Sequence, residues 1–219
     1  MQWTLVIPLK PLGRAKSRLS DTAPDAVRPG LALAFAQDTV AAALACPAVR
    51  DVAVVTDDAL AGRELAALGA RIVRDEPGGG LNPALVHAAA FVRSLHPESA
   101  LAALNADLPA LRSAELARVL DAAAEFPRAF LPDAAGVGTT LLASAQGKEL
   151  RPAFGVDSRL RHRTSGAVEL RPVDVDSVRQ DVDTGEDLRV ALALGVGRYT
   201  AAATEGLLET RPGVRGSTT

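Results

Sequence analysis

Three aspartates and one short basic loop are the residues of this sequence whose types and spacing could do chemistry. Asp107 closes the apolar run Leu101-Ala-Ala-Leu-Asn-Ala-Asp and is followed by Pro109. Asp181 and Asp183 stand two apart, and in an extended strand such residues project to one face, where both can reach one cation. Oxygen ligands of this kind suit Mg²⁺, which takes one or two carboxylates together with substrate phosphates and water. Asp107 equally fits a cap on the turn that Pro109 enforces, and Asp183 a support for a helix starting at Thr184. Taken singly, the residues leave both readings open. The basic loop runs Lys10-Pro-Leu-Gly-Arg-Ala-Lys-Ser-Arg, with four cations in nine residues. Lys10, Arg14, Lys16 and Arg18, with backbone donors near Gly13, could hold a polyphosphate; a solvated basic loop is the plain alternative. Lysine occurs only at positions 10, 16 and 148, so its concentration here favours function. The loop is neither a G-x-G-x-x-G turn nor a P-loop.

Smaller signals surround these. Three glycines, ending in Gly80, precede Asn82 and Pro83, which read as the cap and first turn of a helix. Such a loop lets backbone approach a ligand, and a helix start suits an anion, although glycine runs are often connectors. Thr139 after Gly136-Val-Gly, and Gly155 with Ser158, would supply hydroxyls and free N–H groups for a small phosphorylated acid, or simply form tight turns. His87, His96 and His162 show no ligand spacing and are assigned no catalysis. Without a Ser/His or Cys/His pair, one reaction class needs only what is present. A phosphate, whose second pKa is about 6, is already a nucleophile. Positioning, a metal and cations then suffice for displacement at phosphorus, which is nucleotidyl transfer.

The elements that must position these residues alternate. Strands are expected at 4–9, 52–56, 71–73 and 101–104, with helices at 29–44, 60–68, 82–95 and 113–125 between and after them, a rhythm that implies a mostly parallel sheet covered on both faces. Short strands at 129–131 and 139–143, a short helix within 151–164, a late strand at 178–182 and a last helix at 184–194 follow, the last opened by Thr184 and Asp187 as a capping box. One domain over 1–204 and a disordered tail over 205–219 are the economical division. The composition is 48% hydrophobic and 3% aromatic, so the core is built from Ala, Leu and Val. A net charge of −2 gives no hint of nucleic acid or a membrane surface. One cysteine, Cys46, excludes an intrachain disulfide. With no leader pattern and no run long enough to span a bilayer, a soluble, cytoplasmic protein is expected.

The order IPLKPLGRAKSRLS, AVVTDD, DEPGGGLNPAL, NADLPAL, GVGTTLL, RPAFGVDSRLRH and DVDTGEDL resembles the guanylyltransferases of coenzyme F-420 biosynthesis over residues 5–197. The resemblance implies a nucleotide-diphospho-sugar-transferase-like (Rossmann-like) three-layer α/β sandwich with a mixed, mostly parallel sheet. It implies transfer of GMP from GTP to phosphoenolpyruvate or, alternatively, to 2-phospho-L-lactate. Thr139, Gly155 and Ser158 then correspond to positions that hold the acid, and Asp107, Asp181 and Asp183 to the Mg²⁺ carboxylates. Asp107 and Lys16 become the catalytic pair, the first loop the triphosphate site, and Gly80 with Asn82 the nucleoside side. Hand-off of the product to the next enzyme of the pathway is compatible with this reading. Another nucleotidyltransferase, a glycosyltransferase, or a silent nucleotide-binding domain remain rivals on the same fold.

Overall fold

The computed structural model describes residues 1–14, 16, 19–20, 22–76 and 78–209, with the backbone alone for residue 14 and residues 206–209. Apolar runs without polar alternation must be covered on both faces, and the strands are. β1 (Trp3–Pro8), β2 (Val49–Val55), β3 (Arg71–Val73) and β4 (Ala100–Leu104) pair in parallel, with β1 between β2 and β4. All five residues of β4 are buried. The sheet continues through β6 (Thr139–Ser144), β5 (Arg128–Pro132) and β7 (Val168–Glu169), giving the order β3-β2-β1-β4-β6-β5-β7. β6 runs antiparallel to both its neighbours, and β7 is parallel to β5. The sheet is therefore mixed and mostly parallel, as expected, with β6 reversed.

Successive strand residues feed opposite layers. Leu5, Ile7, Val54, Ala102 and Leu104 pack under α1 (Arg28–Leu44) and α4 (Ser113–Ala123). Val6, Ala53, Val55, Leu101 and Ala103 pack under α3 (Leu81–Leu95). A smaller cluster of Leu31, Phe35, Val182, Leu188 and Ala191 joins the first half of α1 to α7 (Gly185–Leu194). The outcome is the three-layer sandwich.

Local chemistry fixes the element ends. The Asp58 carboxylate caps α2 (Ala59–Ala67), accepting from Leu60 and Ala61 at 3.1 and 3.0 Å. It also accepts from Leu12 N at 2.9 Å, which ties the helix start to a 3-10 turn at Leu12–Arg14 in the basic loop. A short helix, α5 (Ser158–Thr164), falls within 151–164, and the capping box of Thr184 and Asp187 opens α7, both as expected. Three expectations need correction. α3 is capped by Gly80, at φ 101°, and Asn82 lies inside it. The strand expected over 178–182 is instead α6 (Asp176–Arg179) followed by irregular chain. There the buried Glu115 carboxylate takes the Ser177 N–H (2.9 Å) and hydroxyl (2.7 Å), organising a helical turn. Nor is α7 the last helix: α8 (Arg198–Glu209) follows and occupies 205–209, where the tail was expected to begin, while 210–219 lie outside the described residues. No helix among the described residues is long and apolar enough to cross a membrane.

Candidate active site

The carboxyl ends of β1 and β4 and the amino end of reversed β6 meet at one edge of the sheet. A cleft of about 750 Å³ opens there, lined by Lys10, Lys16, Asp107, Asp181 and Asp183 and also by Thr139, Gly155 and Ser158. Residues far apart in sequence are thus gathered where open α/β sheets place their ligands.

The contacts around Asp107 set it apart from its turn. The backbone N–H of Leu108 is taken by Thr39 Oγ1 at 3.0 Å, and Thr39 in turn donates to Phe35 O. Asp107 is thereby relieved of the turn. Its Oδ2 pairs with the Lys16 ammonium, while Oδ1 is buried with no hydrogen-bond partner among the described residues. A buried, unpaired carboxylate oxygen is costly, and at a cleft it is of the kind a bound cation would satisfy. The Asp107 carbonyl accepts from Val182 N at 3.0 Å, and the Val182 side chain is sunk in the small core cluster. Asp181 and Asp183 flank that anchor, so both reach the cleft without a strand. Asp183 leaves the helix cap to Thr184 and Asp187, and its Oδ1 receives Lys16 at 3.1 Å.

Negative charge is crowded at this end of the cleft. Burial, then Asp107 and Asp183, push Asp181 up to about 8, and the Asn105 amide steadies its Oδ2 at 3.3 Å. Burial opposes the charge on Lys16, but Asp107 and Asp183 outweigh it and raise its pKa above the ordinary value. Lys16 reaches this place through a left-handed backbone, φ 58°. Strain of this kind is held where neighbours over-determine the geometry. Oxygen donors of this set suit a hard divalent cation that also takes phosphate oxygens. Among the described residues, no group of three or more His, Cys, Asp or Glu stands ready to hold a metal alone.

The wall containing Thr139, Gly155 and Ser158 is braced from behind. Asp133 accepts from Val137 N (2.9 Å) and Gly138 N (2.8 Å), and a side chain at Gly138 would run into that carboxylate. Arg159 donates to Gly136 O at 2.7 Å and pairs with Glu169 at 2.8 Å. Asn82 both donates to Phe154 O (3.1 Å) and accepts from Phe154 N (2.8 Å). Its amide therefore clamps this loop, and neither Asn82 nor Gly80 nor Gly13 lines the cleft. The Arg14 side chain and Arg18 lie outside the described residues. Sequence reasoning missed Asn105 and Asp133 in the cleft, and His162 behind it. Asn105 was legible only as the strand end before Asp107, and Asp133 and His162 gave no spacing signal.

Fold and cleft together define a class, the nucleotide-diphospho-sugar-transferase-like α/β sandwich. The chain matches a protein assigned to the nucleotide-diphospho-sugar transferases, from Desulfovibrio desulfuricans G20, with a TM-score of 0.71 and 16% identity, covering 95% of this chain and 98% of that one. At that identity the likeness speaks for the fold alone. Within the class, residues 3–207 match the family "Guanylyl transferase CofC like", and the chain belongs to that family. It is 78% identical over 208 residues to the phosphoenolpyruvate guanylyltransferase of Streptomyces coelicolor, covering 95% of this chain and 98% of that protein. To the phosphoenolpyruvate guanylyltransferase of Thermomonospora curvata it is 55% identical over 217 residues, covering 99% and 95%.

Proposed function

We propose that the protein joins GMP from GTP to phosphoenolpyruvate, forming enolpyruvoyl-2-diphospho-5'-guanosine and pyrophosphate in coenzyme F-420 biosynthesis. One observation supports it above the rest. The carboxylates with Lys16, and the Thr139–Gly155–Ser158 wall, share a single cleft in a chain of this family.

In this reading an ionised phosphate oxygen of the acid attacks the α-phosphorus of GTP in line. A new P–O bond forms as the bond to the bridging oxygen breaks, and pyrophosphate leaves with that electron pair. No protein base is needed, because the attacking phosphate is already ionised above its second pKa of about 6. Thr139, Gly155 and Ser158 hold the acid, while Lys10 and Lys16 meet the triphosphate, with Gly13, Arg14 and Arg18 in the same loop. Leu81, which lines the cleft beside Gly80, frames the nucleoside end. Asp107 with Asp181 and Asp183 would hold Mg²⁺, which supplies Lewis-acid neutralisation of phosphate charge. A cytoplasmic setting and hand-off of the product to the following enzyme belong to the same reading.

The test is mass spectrometry of products from GTP and Mg²⁺ with phosphoenolpyruvate and 2-phospho-L-lactate in competition. The enolpyruvoyl product should dominate. A dominant lactyl product would reassign the acceptor, and no GTP consumption with either acid would overturn the reaction.

A further inference from the structure

His162 is fully buried, and both its ring nitrogens are engaged. Nε2 lies 3.0 Å from the Ala153 backbone nitrogen and Nδ1 lies 3.0 Å from Thr139 Oγ1. A peptide N–H can only donate, so Nε2 must be the bare, accepting nitrogen. Burial, with Arg128 nearby, drives the ring pKa down to about 4, so the imidazole is neutral at physiological pH. A neutral ring with a bare Nε2 carries its hydrogen on Nδ1, and that hydrogen points at the Thr139 oxygen. Phe154 packs edge-on against the ring at 5.0 Å and Phe130 at 5.7 Å, which hold its plane. Thr139 thus receives a hydrogen bond from behind, and its own hydroxyl hydrogen has to be directed elsewhere. Thr139 is buried yet lines the cleft.

We infer that His162 is a positioning residue that fixes the Thr139 hydroxyl as a hydrogen-bond donor toward an anionic oxygen of the phosphorylated acid. Through Nε2 the same ring holds Ala153, at the start of the loop that presents Gly155 and Ser158. Histidine suits the place because one rigid ring both accepts from a backbone N–H and donates to a hydroxyl. A hydroxyl with no such partner could turn its lone pairs to the cleft and repel an anion. The inference rests on Thr139 being an acid-binding residue, as proposed above.

The experiment measures KM for phosphoenolpyruvate and for GTP separately in Thr139→Val, His162→Asn, His162→Gln and the Thr139→Val/His162→Gln double variant. Loss of a hydrogen bond to a charged group should raise the acid KM roughly 10- to 100-fold in Thr139→Val, with the GTP KM unchanged. His162→Gln can keep an acceptor for Ala153 near the Nε2 position but places no donor at the Nδ1 position facing Thr139, and should show a similar rise. His162→Asn keeps an amide donor near the Nδ1 position and should recover part of the loss. In the double variant the two losses should not add. Additive losses would overturn the inference and leave His162 a loop brace alone. An unchanged acid KM in Thr139→Val would instead remove the acid-binding reading itself, and this inference with it. Nitrogen-15 NMR of the unaltered protein at pH 7 gives a check that does not depend on variants folding. The Nδ1–H tautomer is expected, and an Nε2–H tautomer would overturn the inference.

Discussion

Asp107 keeps one carboxylate oxygen against Lys16 and the other buried without a partner among the described residues. A residue excused from structural duty in this way should be removable at little cost to the fold and great cost to the reaction. Asp107→Asn and Asp183→Asn should each lower pyrophosphate release from GTP at least about 100-fold, with unchanged circular dichroism; full activity in both would end the metal assignment. His162 gives a pH prediction with a definite sign. Its folded pKa of about 4 lies below the ordinary histidine value of 6.5, so protons favour the unfolded chain between them. Its contribution is complete above about pH 6.5 and is lost as pH falls through that window toward 4. The thermal midpoint should drop more steeply over this range than in His162→Phe, whose ring fills similar space without titrating. Parallel slopes for the two proteins would show that other groups dominate.

Two helix–loop junctions hold the site at the level of elements. Thr39, on α1, takes the N–H of Leu108 that Asp107 would otherwise have to satisfy. Thr39→Val keeps the shape but orphans that buried N–H, so stability should fall by about 1–3 kcal/mol and turnover should fall with it as Asp107 turns back toward its own loop. Denaturant unfolding and kcat on one preparation would check both. Asp38, one residue earlier on α1, caps α8 by accepting from Tyr199 N (3.1 Å) and Thr200 N (2.8 Å). Asp38→Ala should cost about 1 kcal/mol and about 2–4 °C in thermal midpoint, with turnover unaffected. These long-range caps explain what the sequence could and could not reveal. β4 was legible because an unbroken apolar run reads as a strand covered on both faces, whereas Asp107 alone fitted a turn cap as well as a ligand. The basic loop and the Thr184 capping box were legible for similarly local reasons. The 178–182 segment was not, because Val178 and Val182 fit a strand as well as a helical turn plus an anchor. Glu115, more than sixty residues away, settled it. α8 was hidden because its cap comes from α1, and His162 because its partners arrive from β6 and from the loop after it.

At the scale of the molecule, the proposed chemistry depends on a cation bound between separate chain segments. Dialysis against EDTA should stop GTP consumption, and added Mg²⁺ should restore it. Titration calorimetry should show Mg²⁺ binding to the native protein in the presence of GTP and none to Asp107→Asn. The reversal of β6 has its own consequence. Because β6 runs against β4, with Leu104 beside Leu141, Thr139 enters the sheet at the edge where the chain toward Asp107 leaves it. On the proposed reading, the nucleotide side belongs to the parallel βα units of the first half and the acid side to a hairpin and its following loop. Donor and acceptor recognition are then separate inheritable modules that meet across one strand boundary. Exchange of residues 128–165 for the matching stretch of a relative with another acceptor should carry acceptor choice with it and leave the choice of nucleotide behind.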